Sequence, residues 1–317
     1  MSAFANNPAI QRMLKVAPSY YVFALLLIVL SVSRPQMLNA NVMGIFIRQV
    51  APLGVLVLGQ LLVMRVKSID LAGGGIILLV NYLISSNLLP GMTATGFVLL
   101  ALFTGTAIGL FNGFMVGKRR VSAVIVTLAV SIILVGAVQF LSSGKPPGNV
   151  PTYFNAIYNV KFGPLPLPVL FWVLLTALLS LLLSRTVFGR YVTSVGANAE
   201  AAHFSGVPVE RTVVVAHTLA GLIAGIAALV QTASIAVGSV RVGLDLPILS
   251  VAATILGGVV FGRGEGGVWG PFFGVLSFAL LFVVMTSFGV SDSGKLIAQG
   301  LIILLAAIFY GLKARNS

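Results

Sequence analysis

The chain of 317 residues is 58% hydrophobic and only 8% charged, with a mean hydropathy of +1.10. A soluble domain carries charge on roughly a quarter of its residues, so lipid must cover most of this exterior, and soluble classes are excluded. Nineteen Lys and Arg against six Asp and Glu leave a net charge of +13, but the basic residues fall in short clusters between apolar runs. That is the pattern of membrane-protein loops, not of a nucleic-acid-binding face.

At the start of the chain, Arg12 and Lys15 precede an apolar run, and Ser31–Ser33 (SVS) has the look of a signal-peptide cleavage site. The run extends to spanning length, so it reads as a first span and not as a leader. Spans are expected at 17–33, 43–64, 71–89, 95–116, 121–142, 165–184, 212–236, 248–262, 268–288 and 295–311. The eighth is short for a crossing and is expected to be tilted, broken or partly re-entrant. With the N-terminus inside, the clusters at Arg65 and Lys67, Lys118 to Arg120, Arg185 and Arg190, and Lys313 and Arg315 share one side, with Arg211 and Arg263. Arg34, Lys145, Lys161, Arg241 and Lys295 fall on the other, which predicts both termini in the cytoplasm. The expectation is a single all-α integral membrane domain over 1–317, a polytopic bundle of about ten helices.

Residues 142–168 form the largest external connection, rich in Pro, Gly and Asn, with a short surface helix predicted around Tyr153 to Tyr158. Residues 185–211 form the largest internal one. Within it, "GANAEAAHFSG" reads as a small water-facing helix: Asn198 caps Ala199 to Phe204, and Gly206 supplies a left-handed stop just before Pro208. Gly105, Gly109, Gly113 and Gly117 recur every fourth residue, as do Gly221 and Gly225, a spacing that predicts close helix packing within the chain.

Enzyme chemistry finds little support in the side-chain inventory. "GFMVGKRR" has the spacing GxxxGK, one residue short of a phosphate-binding loop, and Arg119 stands where a metal-binding hydroxyl is needed. Cysteine is absent, so thiolate chemistry and cysteine metal sites are excluded. His203 and His217 have no acidic partner at ligand spacing, so no metal site is expected. Asp70, Glu200, Glu210, Asp245, Glu265 and Asp292 all fall at or beyond span boundaries, whereas an ion-coupled carrier keeps ionisable groups near the midplane. Transport would then need energy from another subunit. Arg48 is the one intramembrane charge, near the outer end of its span, where it can snorkel. The other polar residues inside spans are neutral, including Gln49 and Gln60. Asn81, Tyr82, Asn112, Thr127, Gln139 and Gln231 are the candidate translocation residues, suited to an uncharged polyhydroxylated solute. Bonds between helices account for single Asn and Gln residues equally well.

Three blocks then stand out in order: "RTVFGRYVTSVGANAEAAHFSGVPVERT" from Arg185, "LAGLIAGIAALV" from Leu219, and "AATILGGVVFGRGEGGVWGPFFGVL" from Ala252. Looser matches precede them in "SIDLAGGG" from Ser68 and "FNGFMVGKRRVSAVIVTLA" from Phe111. Together these resemble the permease subunits of bacterial ABC importers for monosaccharides, the ribose-type family. The chain departs from that pattern at Pro247, where the family commonly has Glu, and within "SIDLAGG".

The resemblance implies a multi-pass protein of the bacterial inner membrane that moves a monosaccharide or related polyol delivered by an extracytoplasmic binding protein. It also implies a second permease, identical or paralogous, and a cytoplasmic ABC ATPase that holds ATP and Mg. The chain itself would need no cofactor and no nucleic acid. The residues expected to meet the ATPase are Gly196, Asn198, Glu200, Ala201, Ala202, His203, Ser205 and Gly206. A passive channel or facilitator and a secondary carrier for small neutral polar solutes are the alternatives, and neither needs a capped internal helix.

Overall fold

A computed structural model gives the chain over residues 17–304, except 87, 164, 260–263, 265, 292 and 303. Arg12, Lys15, Arg263, Glu265, Asp292, Lys313 and Arg315 lie outside the described residues. Apolar runs fold as helices because lipid offers no partner for backbone N–H and C=O groups, so each segment must satisfy its own. α1 is Pro18–Ser33, followed by a 3₁₀ turn Pro35–Leu38 and α2, Ala40–Arg65. α3 is Gly73–Ser85, and α4, Ala94–Gly113, ends in a π turn Phe114–Lys118. α5 is Ala123–Ser142. A short α6, Thr152–Tyr158, and a two-stranded antiparallel hairpin, β1 Lys161–Phe162 and β2 Leu165–Pro166, fill the long connection to α7, Leu167–Arg185. Next come α8, Val187–Ala197, α9, Ala199–Phe204, and α10, Val209–Ile235. α11, Leu246–Leu256, α12, Trp269–Ser287, and α13, 293–302, complete the bundle.

Among the described residues, six helices are long and apolar enough to cross a membrane: α2, α4 with its π turn, α5, α7, α10 and α12. α1, α3 and α11 are apolar but shorter. Each expected span coincides with a helix, although much of 295–311 lies outside the described residues. The short helices have local causes. The 13 residues of α3 rise only about 20 Å against a hydrocarbon core of roughly 30 Å. Residues 71 and 72, at the start of the expected span, are non-helical, and at its end Ser86 is already extended, short of the expected limit at 89. α11 has 11 residues and stops before the expected 262. Gly258 is left-handed (φ 85°) and Val259 N donates back to Thr254 O at 3.2 Å, closing the helix end. A side chain at Gly257 would overlap the backbone of Gly270 and Pro271, so this turn is wedged against the start of α12.

α10 is the hub, packed on α4, α2 and α3. Its contact with α4 is a glycine seam. A Cβ on Gly105 would overlap the Gly221 carbonyl, one on Gly109 the His217 carbonyl, and one on Gly113 would lie 2.7 Å from Val214 O. The four-residue spacing therefore serves packing within the chain, as expected, by letting two backbones touch. Apolar side chains such as Leu25, Phe103, Ile133 and Phe140 point outward, the inverse of a soluble surface.

Candidate coupling surface and solute path

α9 is the element on which the expected partner contact rests. Asn198 Oδ1 accepts from Glu200 N and Ala201 N, both at 3.0 Å, so two otherwise unpaired first-turn donors are satisfied. At the other end Gly206 is left-handed (φ 80°), and Val207 N donates to Ala202 O at 3.0 Å. Cap and stop are thus where the sequence predicts them. The preceding segment is tied to the end of α2: Arg65 Nη2 donates to Thr193 Oγ1 at 2.8 Å and Lys67 Nζ to Ala197 O at 3.2 Å.

The residues expected on this surface divide into two groups. Gly196 is buried where a side chain would overlap the Arg65 carbonyl, and Ala202 is only 5% exposed, so both hold α9 in place. Glu200, Ala201, His203, Ser205 and Gly206 are exposed, and Asn198 is exposed while its oxygen caps the helix. Sequence reasoning missed Phe204, which is 81% exposed and projects from this polar segment beside the His203 ring. Its signal was present: a lone phenylalanine in the last turn of a six-residue water-facing helix has no core to enter. Behind α9 a cavity of about 780 Å³ is lined by Lys67, Ser68, Arg120, Glu200, His203 and Glu210, among others.

The candidate translocation residues differ in their surroundings. Asn81 is fully buried; its Nδ2 donates to Thr232 Oγ1 at 3.4 Å and Val237 O at 3.3 Å, and its Oδ1 accepts from Ser239 N at 2.9 Å. Thr127 Oγ1 accepts from Leu71 N at 3.0 Å and donates to Ala123 O at 2.8 Å. Tyr82 packs with Leu78 and Val138. Asn112 is fully buried with both amide atoms unpaired among the described residues. Gln139 is exposed on α5, and Gln231 is half-buried on α10.

One reading of charge is corrected. Asp70 lies between α2 and α3, at the expected boundary, and is only 8% exposed, with Oδ1 accepting from Ala72 N at 2.8 Å. His217 does have an acidic neighbour: its Nδ1 lies 3.7 Å from Asp70 Oδ2, and its Nε2 shares a 2.7 Å hydrogen bond with Ser68 Oγ. Packing of the 66–72 segment against α10 joins residues that sequence spacing keeps far apart. Among the described residues, no group of three metal-ligating side chains forms.

At the opposite end of the bundle, Arg48 Nη1 donates to Asn159 Oδ1 at 2.6 Å, and Tyr158 OH donates to Arg48 O at 2.8 Å. Burial pushes the Tyr158 phenol above its usual range, against the opposing effects of Ser234 and the Arg48 charge. Gly238 N donates to Gly148 O at 2.7 Å, so the 142–168 connection is strapped over the end of α10.

Residues 42–307 match the family described as "Branched-chain amino acid transport system / permease component". The ribose import permease protein of Bacillus subtilis (strain 168) is 29% identical over 299 residues, 93% of this chain and 92% of that one. The ribose import permease protein of Escherichia coli (strain K12) is 29% identical over 297 residues, 92% of each. The L-arabinose transport system permease protein of Escherichia coli (strain K12) is 32% identical over 208 residues, 65% of this chain and 63% of that one. No solved structure matches the chain. The matched region runs from α2 through α13 and takes in the glycine seam and α9, so the chain belongs to this family of transport-system permease components.

Proposed function

We propose that the chain is the permease subunit of an ABC importer that carries a monosaccharide or related polyol across a bacterial inner membrane. The observation that carries this reading is the similarity to ribose import permeases, which extends over 93% of the chain with the first of them. The finer architecture proposed is one domain of ten crossings with both termini cytoplasmic. In it the 185–211 connection lies inside and the 142–168 connection outside. A binding protein delivers the solute to the outer loops, a second permease copy completes the path, and a cytoplasmic ATPase with its own ATP and Mg drives the cycle.

Coupling requires that the ATPase favour one permease state over the other, hence a firm contact. In this proposal Glu200, Ala201, His203, Phe204, Ser205 and Gly206 meet the partner, while Gly196, Asn198 and Ala202 keep α9 folded and seated. Only residues 205–208 separate α9 from α10, so a push on α9 is passed to the hub through a short connection. The proposed path follows Asn81, Tyr82, Asn112, Thr127, Gln139 and Gln231. Asn112 leads this set, because its unpaired buried amide favours a polar ligand.

The test is co-purification with the ATPase, then uptake in proteoliposomes. A bound ATPase with sugar uptake that requires both ATP and the binding protein supports the proposal. Uptake without ATP and with no bound partner replaces it with a passive channel.

A further inference from the structure

A cleft of about 390 Å³ opens between α2, α11, α12 and α13, and none of the expected path residues lines it. It lies at the end strapped by the 142–168 connection, because Arg48, bonded to Asn159, is adjacent to Gln49 in its wall. Its volume falls in the range of small-molecule sites, about 300–1,000 Å³. The lining is mixed: the rings of Phe46 and Phe282, the amides of Gln49 and Gln299, and the opposite charges of Asp245 and Lys295.

Three features define what would bind there. Gln299 is only 9% exposed, and neither its amide nor that of Gln49 has a hydrogen-bond partner among the described residues. Amides that open into a cleft without a bond to another described residue are available to hydrogen-bond a ligand or water. One carboxylate and one ammonium leave the cleft without net charge, which disfavours an ion. Amides and a carboxylate can donate to and accept from hydroxyl groups, and ring faces can lie against the C–H face of a sugar.

We propose that this cleft is a solute-binding site within the permease itself, which takes a neutral monosaccharide or polyol as it leaves the binding protein. Gln49, Gln299 and Asp245 hydrogen-bond its hydroxyls. The proposal rests on the importer reading above. It gives the permease its own share of selectivity, beyond what the binding protein exerts.

The test uses the complete transporter, with ATPase and binding protein, in proteoliposomes. Radiolabelled D-ribose and L-arabinose are the probes, and the readout is sugar moved per ATP hydrolysed. Gln299→Leu and Gln49→Ala are each expected to lower that ratio at least fivefold, while ATPase activity stimulated by the binding protein stays within twofold. Gln49 is exposed in the cleft, so Gln49→Ala decides the matter if Gln299→Leu fails to assemble. A transporter that moves either sugar with an unchanged ratio in the variants overturns the cleft and leaves the importer reading standing. A parent transporter that moves neither these two sugars nor any other of a panel of radiolabelled monosaccharides and polyols overturns both.

Discussion

The α4–α10 seam and the α9 helix are built from the same small residues and use them in opposite ways. In the seam, Gly105, Gly109 and Gly221 are small because a partner backbone occupies the space a side chain would need. On α9, Ala201 is small with its surface open, while Gly206, just beyond, is glycine because its backbone is left-handed. Smallness in the first region is a packing requirement of the folded chain. In the second, the proposed reason for an exposed Ala201 is contact with a partner.

Substitutions that fill these spaces separate the two cases. Gly221→Val has the largest expected effect, because its side chain would overlap the Gly105 carbonyl and a backbone cannot yield as a flexible side chain does. Overpacking costs about 1–3 kcal/mol even where side chains can move, so little folded protein is expected by detergent-extracted yield and thermal unfolding. Ala201→Arg and Phe204→Ala should leave that yield intact and weaken ATPase binding at least tenfold, about 1.4 kcal/mol, in a pull-down titration. Normal binding by both would remove the proposed contrast. Asn198→Ala removes the α9 cap and should cost about 1 kcal/mol, confined to that helix and visible as faster amide exchange over 199–204. Arg120→Ala should have the smallest effect. It breaks a 3.5 Å pair with Glu210 whose side chains are 83% and 51% exposed, and such pairs contribute roughly 0–1 kcal/mol.

Much of this fold is legible in sequence because lipid imposes a simple rule: an apolar run must be a helix. The cap at Asn198, the stop at Gly206 and the α6 helix are local and are readable for that reason. The seam is readable because four-residue spacing places the glycines on one helix face. What escapes depends on contacts between distant segments. The early end of α11 fits the expectation of a short or broken eighth segment, but the contact that sets it, Gly257 against Gly270 and Pro271, is not visible in the run itself. Hydropathy puts Asp70 at a boundary because it locates the segment and not the side chain, which packing turns toward His217. Likewise, sequence identifies the intramembrane amides without showing which have partners. Asn81 is tied to the end of α10 and the loop beyond it, whereas Gln49 faces an open cleft.

The central claim, that α9 is the contact through which an ATPase drives this permease, has a direct test in a chain that contains no cysteine. A single Phe204→Cys variant, co-expressed with the ATPase and treated with a short thiol-reactive photocross-linker, should yield a permease–ATPase adduct whose amount changes when ATP is added. Phe140→Cys, on the exposed face of α5, should yield none. A transporting complex that gives no adduct from Phe204→Cys, or gives it equally from Phe140→Cys, would contradict the account.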